Sequence, residues 1–352
     1  MILRHLVVFF VGVNACLAGE VPFADESVVL TAHDGVKLSA KWAIPSGTAR
    51  AALVIVQGSG NVGTDGDVSG PYTGRGYKGQ KANLSDQLAE RLAREGIATL
   101  RYAKRGFEDQ AQLANQTAPY LVRDARTALE AARARFPGAK SGFVGFSEGA
   151  LVAALVAAET PVDALFLLSL PTRSIDDGLA FQFVQWPVEL LARKLPHTAN
   201  GELVAGNLAL PFLGPVGDKL DQDHNGSLSL DRELIPAYRE MLSVVLGMLS
   251  KPPFEAWYRS LRALPPFAQI AARVSAPVFL YQPLEDAQDH WSWVVADQSL
   301  FTGNAGRTQL RLFAGVGHAF APMDGELGDT KTSGPFSPAL LDALAADSQS
   351  LR

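Results

Sequence analysis

Three residue types that can jointly activate a hydroxyl stand far apart in this sequence. They are a serine between two glycines in GFSEG at 145–149, an aspartate in PLEDAQDH at 283–290 and a histidine in FAGVGHAF at 313–320. A serine hydroxyl is a weak nucleophile until a base takes its proton, and the base works best when a carboxylate holds its ring in one tautomer. In GxSxG between an apolar strand and a helix, the serine takes a strained backbone conformation that lifts its hydroxyl clear of the sheet. Gly145 and Gly149 remove the side chains that would strike neighbouring backbone there. A plain Gly/Ser turn could use the same letters, but GFVGF before the motif and GALVAALVAAE after it are the strand and helix such an elbow needs. Ser147 is therefore the expected nucleophile.

The sequence has six histidines. His5 lies in the N-terminal apolar stretch, His33 in a hairpin turn, His197 and His224 in a long interval without evident strands, and His290 just past a strand. His318 follows the last predicted strand, among glycines that let a loop fold back over the sheet edge. It is the expected base, with His290 second. The orienting carboxylate should follow an earlier strand, and Asp286, close to the end of VFLYQ, is preferred to Asp289 and Glu285. The oxyanion of a tetrahedral intermediate needs N–H donors. One should be the backbone N–H of Glu148; the other should come from QGSG at 57–60, with Ser59 the expected donor.

These residues need elements to bring them together. Asp34 and Gly35 form a hairpin signal within residues 27–46, where Val36, Leu38, Ala40, Trp42 and Ile44 alternate as in a strand with one buried face. AALVIVQ (51–57) and IATLRYA (97–103) read as strands buried on both faces, separated by a helix in SDQLAERLAREG that stops at Gly96. PYLVRDARTALEAARARF sets Val122, Ala125, Leu129, Ala132 and Phe136 on one helical face before the strand GFVGF. Further strands are expected at 164–170, 276–282 and 308–315, and the last residues, DSQSLR, are expected to fray. Such alternation implies a mostly parallel, doubly wound α/β sheet.

At these motifs the chain resembles the α/β-hydrolase superfamily, specifically bacterial serine carboxylesterases. The resemblance covers residues 27–171 and 272–345. It rests on QGSG at 57–60, RYAKRG at 101–106, GFSEG, the PLED loop and GVGH at 315–318. Gln57 stands where many relatives have histidine, and Ala103 where many have aspartate. The resemblance implies an α/β-hydrolase fold with a helical lid insertion, a small-molecule ester substrate and no required organic cofactor. Amidases, peptidases, thioesterases and acyltransferases use the same machinery. A catalytically dead, calcium-binding interaction protein is the remaining alternative.

The interval 172–271 is the expected lid insertion, with helices in AFQFVQWPVELLARKL and IPAYREMLSVVLGMLS and no convincing strand. Phe181, Phe183, Trp186, Trp257 and Tyr258 could line a substrate pocket beneath it or form its own core. Within it, DQDHNGSLSLDRE at 221–233 places Asp221, Asp223, Asn225 and Gly226 as in the first half of an EF-hand calcium loop. Arg232 occupies the place of the closing glutamate and Glu233 comes one residue late. Calcium held with Asp231 or Glu233 is one reading, and a solvated acidic turn is the other.

With 47% apolar residues, 19% charged residues and a formal net charge of −5, the composition is that of a globular protein. The absence of a lysine or arginine cluster argues against nucleic acid as a partner. MILRHLVVFFVGVNACLAGE reads as an export signal over residues 1–18, placing the protein in the periplasm or outside the cell. Its apolar stretch is shorter than the roughly 20 residues of a membrane span. Cys16 is the only cysteine, so no intrachain disulfide can form. VNAC at 13–16 resembles the lipobox of bacterial lipoproteins, which makes a lipid anchor through Cys16 the alternative address.

Overall fold

The computed structural model describes residues 23–67, 84–204, 209–210, 214–215, 220–323 and 336–351. The expected export signal and Cys16 lie outside them. The described residues open with a hairpin of β1 (Phe23–Thr31) and β2 (Lys37–Pro45), paired antiparallel from Phe23 opposite Pro45 to Thr31 opposite Lys37. Gly35 makes the turn with φ +84°. The strand and helix units follow: β3 (Ala51–Val56), α1 (Leu84–Arg94), β4 (Ile97–Tyr102), α2 (Ala118–Arg135), β5 (Lys140–Phe146), α3 (Glu148–Ala157) and β6 (Ala164–Leu168).

Between β6 and the next sheet strand the described residues are mainly helical: α4 (Ile175–Ala180), α5 (Trp186–Lys194), α6 (Ile235–Leu249), α7 (Glu255–Arg262) and α8 (Phe267–Ala271). A π-helical turn, Phe181–Gln185, joins α4 to α5. The expectation of no strand here needs a small correction, since Leu203–Val204 and Ser227–Leu228 pair antiparallel, and Ala209–Leu210 pairs with Gly214–Pro215. The insertion has its own apolar centre of Leu191, Leu203, Leu220, Leu228, Leu234 and Tyr238. The main sheet resumes with β7 (Val278–Pro283), α9 (Trp291–Asp297), β8 (Thr308–Phe313) and α10 (Pro338–Ser348).

The eight strands lie in the order β1-β2-β4-β3-β5-β6-β7-β8. β2 pairs antiparallel with β1 and β4, and from β4 onward every neighbouring pair is parallel. Successive side chains of a strand face opposite ways, so a strand covered on both faces must be apolar throughout. In β3, Val54 joins a layer with Leu121, Ala125 and Leu129 of α2, whereas Leu53 and Ile55 join one with Leu88 and Leu92 of α1 and Leu340 and Leu344 of α10. The chain moves from β3 to β4 on one side and to β5 on the other, so the carboxyl ends of β3 and β5 open side by side, with Val56 opposite Gly145. Open α/β sheets place their sites at such a reversal.

The C-terminal residues do not fray as expected. Gln349–Leu351 add a 3-10 turn to α10 and Leu351 is buried. Arg50 Nη1 donates to the Ser348 carbonyl at 2.7 Å. Apolar contact and this bond offset the entropy of ordering a terminus. Among the described residues no helix is long and apolar enough to cross a membrane.

Candidate active site

Ser147 sits between β5 and α3 with φ 53° and ψ −124°. This is a conformation that non-glycine residues adopt at a cost of about 1–3 kcal/mol. Its neighbours leave no alternative route for the chain. A Cβ on Gly145 would lie 2.6 Å from Ala150 Cα, and one on Gly149 would lie 2.1 Å from the Val56 carbonyl oxygen. Ser147 N donates to the Leu168 carbonyl of β6 at 2.9 Å, which anchors the elbow to the sheet.

The structure brings Ser147, His318 and Asp286 into one hydrogen-bonded line. His318 Nε2 lies 3.0 Å from Ser147 Oγ, and His318 Nδ1 lies 2.9 and 3.0 Å from the two carboxylate oxygens of Asp286. A carboxylate can only accept, so Nδ1 carries the proton and Nε2 is left to accept from the serine. Asp286 is held in turn by the N–H groups of Gln288 and Asp289 on Oδ1, at 2.8 and 3.0 Å, and by Gln282 Nε2 on Oδ2 at 3.0 Å. Three donors satisfy this buried carboxylate and fix its orientation toward the ring. His318 also stacks obliquely on Phe146, with ring centroids 5.3 Å apart. His290, the second choice from sequence, instead caps α9 by accepting from Ser292 N and packs edge-on against Phe181.

Ser59 and Glu148 flank this line, on the loop after β3 and at the first turn of α3. Neither backbone N–H has a protein acceptor among the described residues, and Ser59 and Ser147 line one pocket. Gln57, the departure from the histidine of many relatives, braces that loop from below. Its amide nitrogen donates to the carbonyls of Gly63 and Thr64 at 3.2 and 3.3 Å, and its oxygen accepts from Ser85 Oγ at 2.7 Å. The arrangement can deprotonate a serine, direct it at a carbonyl carbon and offer N–H donors to the oxygen that becomes negative.

Asp289, the less favoured carboxylate for His318 on sequence grounds, lies beside the line rather than in it. It is buried, and the Asp286, Asp289 and His318 side chains lie within 4.8 Å of one another. Burial, and then the Asp286 charge, push its carboxyl up to about 7 against the opposing pull of His318. A carboxyl whose folded pKa lies above its unfolded value costs nothing below the unfolded value. It costs progressively more as pH rises to the folded value. Asp289→Asn is therefore expected to be neutral near pH 3 and stabilising, by up to about 4 kcal/mol, above pH 7. Urea unfolding of both proteins at acid, neutral and alkaline pH checks this; a gain that is the same at every pH contradicts it.

The acidic loop of the insertion resolves which carboxylate closes it. Asp221, Asp223 and Glu233 offer oxygens within 4.8 Å of one another, whereas Asp231 stays exposed. A π-helical turn at Leu230–Leu234 absorbs the one-residue lateness of Glu233: both Glu233 N and Leu234 N donate to the Ser229 carbonyl at 3.1 Å. The carboxylate of Glu233 then swings back over the loop, accepting from Gln222 N and Ser229 N at 2.8 Å each. Asp221 accepts from Asn225 N at 3.0 Å and Gly226 N at 2.9 Å. The Asn225 side chain turns inward to its own loop, its Oδ1 accepting from Ser227 N at 2.7 Å. Each carboxylate oxygen keeps a second lone pair, so this all-oxygen set fits a hard divalent cation.

Four of the aromatic residues singled out in the insertion pack within it or against the sheet domain beside it. Phe181 and Trp186 join Leu190, Ala287 and Trp293, Tyr258 Oη donates to Asp176 at 2.5 Å, and Trp257 Nε1 donates to Glu148 Oε1 at 2.5 Å. The pocket over Ser147 is lined instead by residues of the sheet domain, among them Ile55, Val62, Leu88, Phe146 and Phe336. Among the described residues, no carboxylate and no residue of the insertion lines it.

A family model described as serine aminopeptidase, S33, matches residues 77–321, which is 245 of 352 residues. No curated protein sequence gives a significant match. Among solved structures, Est1E from Butyrivibrio proteoclasticus has a TM-score of 0.50 at 15% identity, over 92% of this chain and 98% of that one. An esterase of Pyrococcus furiosus has a TM-score of 0.49 at 16% identity, over 84% of this chain and 83% of that one. An acylaminoacyl peptidase of Pyrococcus horikoshii has a TM-score of 0.49 at 14% identity, over 84% of this chain and 37% of that one. The family match runs through the β5 elbow and the His318 loop, and the sheet order and its helices are those of the fold: the protein belongs to the serine aminopeptidase S33 family of α/β-hydrolases.

Proposed function

We propose that this serine hydrolase cleaves carboxylic esters of small molecules through an acyl-enzyme. Ser147 Oγ attacks the acyl carbon while His318 Nε2 takes its proton, and Asp286 stabilises the imidazolium. The N–H groups of Ser59 and Glu148 receive the oxyanion. Collapse returns the proton from His318 to the departing alcohol; a water activated by the same ring then releases the acid and restores Ser147. The observation that carries this reading is the 3.0 Å contact between Ser147 Oγ and His318 Nε2, backed by 2.9 Å to Asp286.

The family description makes aminopeptidase action the second reading. An aminopeptidase must hold a free α-ammonium, and burying that cation without a carboxylate is costly. Among the described residues the lining around Ser147 is uncharged and largely apolar, which supports an ester with a neutral acyl group. Turnover of p-nitrophenyl esters of increasing acyl length, measured beside aminoacyl p-nitroanilides, tests this. Higher kcat/KM on the esters is expected, and higher kcat/KM on the anilides reverses the assignment.

We propose further that the insertion acts as a lid and that loop 221–233 holds Ca2+ through Asp221, Asp223 and Glu233. Calcium added to chelator-treated protein should release binding heat and raise the melting temperature, and Asp221→Ala should remove both effects. Wild-type protein that shows neither has no calcium site. Export, or anchoring through Cys16, is the proposed location; N-terminal analysis of the protein from producing bacteria should find residues 1–15 or 1–18 removed, and an intact leader contradicts it.

A further inference from the structure

We propose that Lys104 is a positioning residue for the oxyanion hole, an inference that rests on the hydrolase reading above. Lys104 follows β4 in RYAKRG and is buried, with an exposure of 5%. Its ammonium donates to the Gly58 carbonyl at 3.0 Å and to Glu148 Oε2 at 2.5 Å. These two acceptors belong to the two donors of the hole. The Gly58 carbonyl and the Ser59 N–H are the two ends of one planar trans peptide and point in opposite directions. A cation fixed on the carbonyl side therefore fixes the N–H side, and it polarises the peptide so that the N–H is a stronger donor. Glu148 supplies the other N–H from its own backbone, so its clamped side chain limits how that residue can move.

Two further contacts support this reading over a merely structural ion pair. The Gly58 peptide runs close past the nucleophile: a Cβ on Gly58 would lie 3.3 Å from Ser147 Cβ. Lys104 N also donates to the Val62 carbonyl at 2.8 Å, so the same residue ties the oxyanion loop at both ends. A buried ion pair is an expensive way to hold a loop, because replacing it with apolar residues is often neutral or stabilising. A charge retained there is better explained by the orientation it imposes. The second oxygen of Glu148 accepts from Trp257 Nε1 of α7, so the insertion ends on the same clamp.

The test compares wild type with Lys104→Met, which breaks the tether but strands the Glu148 charge, and with Lys104→Met/Glu148→Gln, which leaves no buried charge unpaired. Ester turnover, the unfolding midpoint and inhibition by a trifluoromethyl ketone, whose serine adduct places an oxyanion in the hole, are measured for each. Full loss of one oxyanion donor costs about 10²–10³ in kcat, so a misdirected donor should cost about 10- to 100-fold. That loss is expected in kcat, with KM little changed, and the inhibition constant should rise in parallel with the fall in kcat/KM. The double variant should unfold cooperatively and show the same loss. A folded variant with wild-type kcat overturns the proposal, and so does a variant that loses activity but keeps wild-type affinity for the ketone. If wild type neither hydrolyses esters nor reacts with a fluorophosphonate, the underlying hydrolase reading fails instead.

Discussion

Ser147→Ala is expected to lower kcat/KM on any ester substrate by on the order of 10⁵-fold, because it removes the atom that forms the acyl-enzyme. Residual turnover should come from the N–H donors and from binding alone. The fold should survive. Alanine keeps the Cβ and the backbone at φ 53°, Ser147 N still reaches the Leu168 carbonyl, and only one hydroxyl contact is lost. Stability should therefore change by less than about 1 kcal/mol. Steady-state kinetics and covalent labelling by a fluorophosphonate probe check the two halves of this expectation. A Ser147→Ala protein that still labels and still turns over esters would falsify the nucleophile assignment.

Gly149→Ala should do the opposite, strongly destabilising the fold whatever it does to the chemistry. The added Cβ would stand 2.1 Å from the Val56 carbonyl oxygen and 2.5 Å from that of Gln57, both of them backbone atoms at the end of β3. Backbone cannot rotate away as a side chain does. Relief requires moving α3 off the sheet or displacing the loop that carries Ser59. Overpacking of this kind costs about 3 kcal/mol or more. Gly178→Ala is the internal control. That glycine lies in α4 with nothing within 4 Å of its added Cβ, so alanine there should stabilise by about 0.5–1 kcal/mol. Equal effects from the two substitutions, measured by denaturant unfolding, would show that close approach of α3 to β3 is not what position 149 needs.

The parts of the site legible in the sequence are those fixed by topology. Ser147 is marked by a strand and a helix on either side, and His318 and Asp286 by their places after the last two strands. The rest depends on packing that no spacing rule encodes. Lys104 in KRG is indistinguishable from a surface lysine until β4 and the loop after β3 converge around it. Asp289 differs from Asp286 only in which way the loop turns. Counting residues along an EF-hand pattern assumes regular helical turns, so it leaves Glu233 misplaced, whereas a widened turn returns it to the loop. The aromatic residues of the insertion show the same limit, since their period suits a pocket wall and a private core equally well. Order at the C-terminus is equally illegible locally, because burial of Leu351 against α1 and the sheet depends on partners nearly three hundred residues away.

Gln57 carries a consequence for acidity. Its side chain holds the loop at Gly63, Thr64 and Ser85 through an amide, which neither gains nor loses a proton between pH 5 and 8. An imidazole in that brace would take up charge within that interval and loosen the turn as it did so. Here the scaffold under Ser59 keeps one charge state throughout. Mild acid therefore leaves this part of the frame beneath the reacting serine standing.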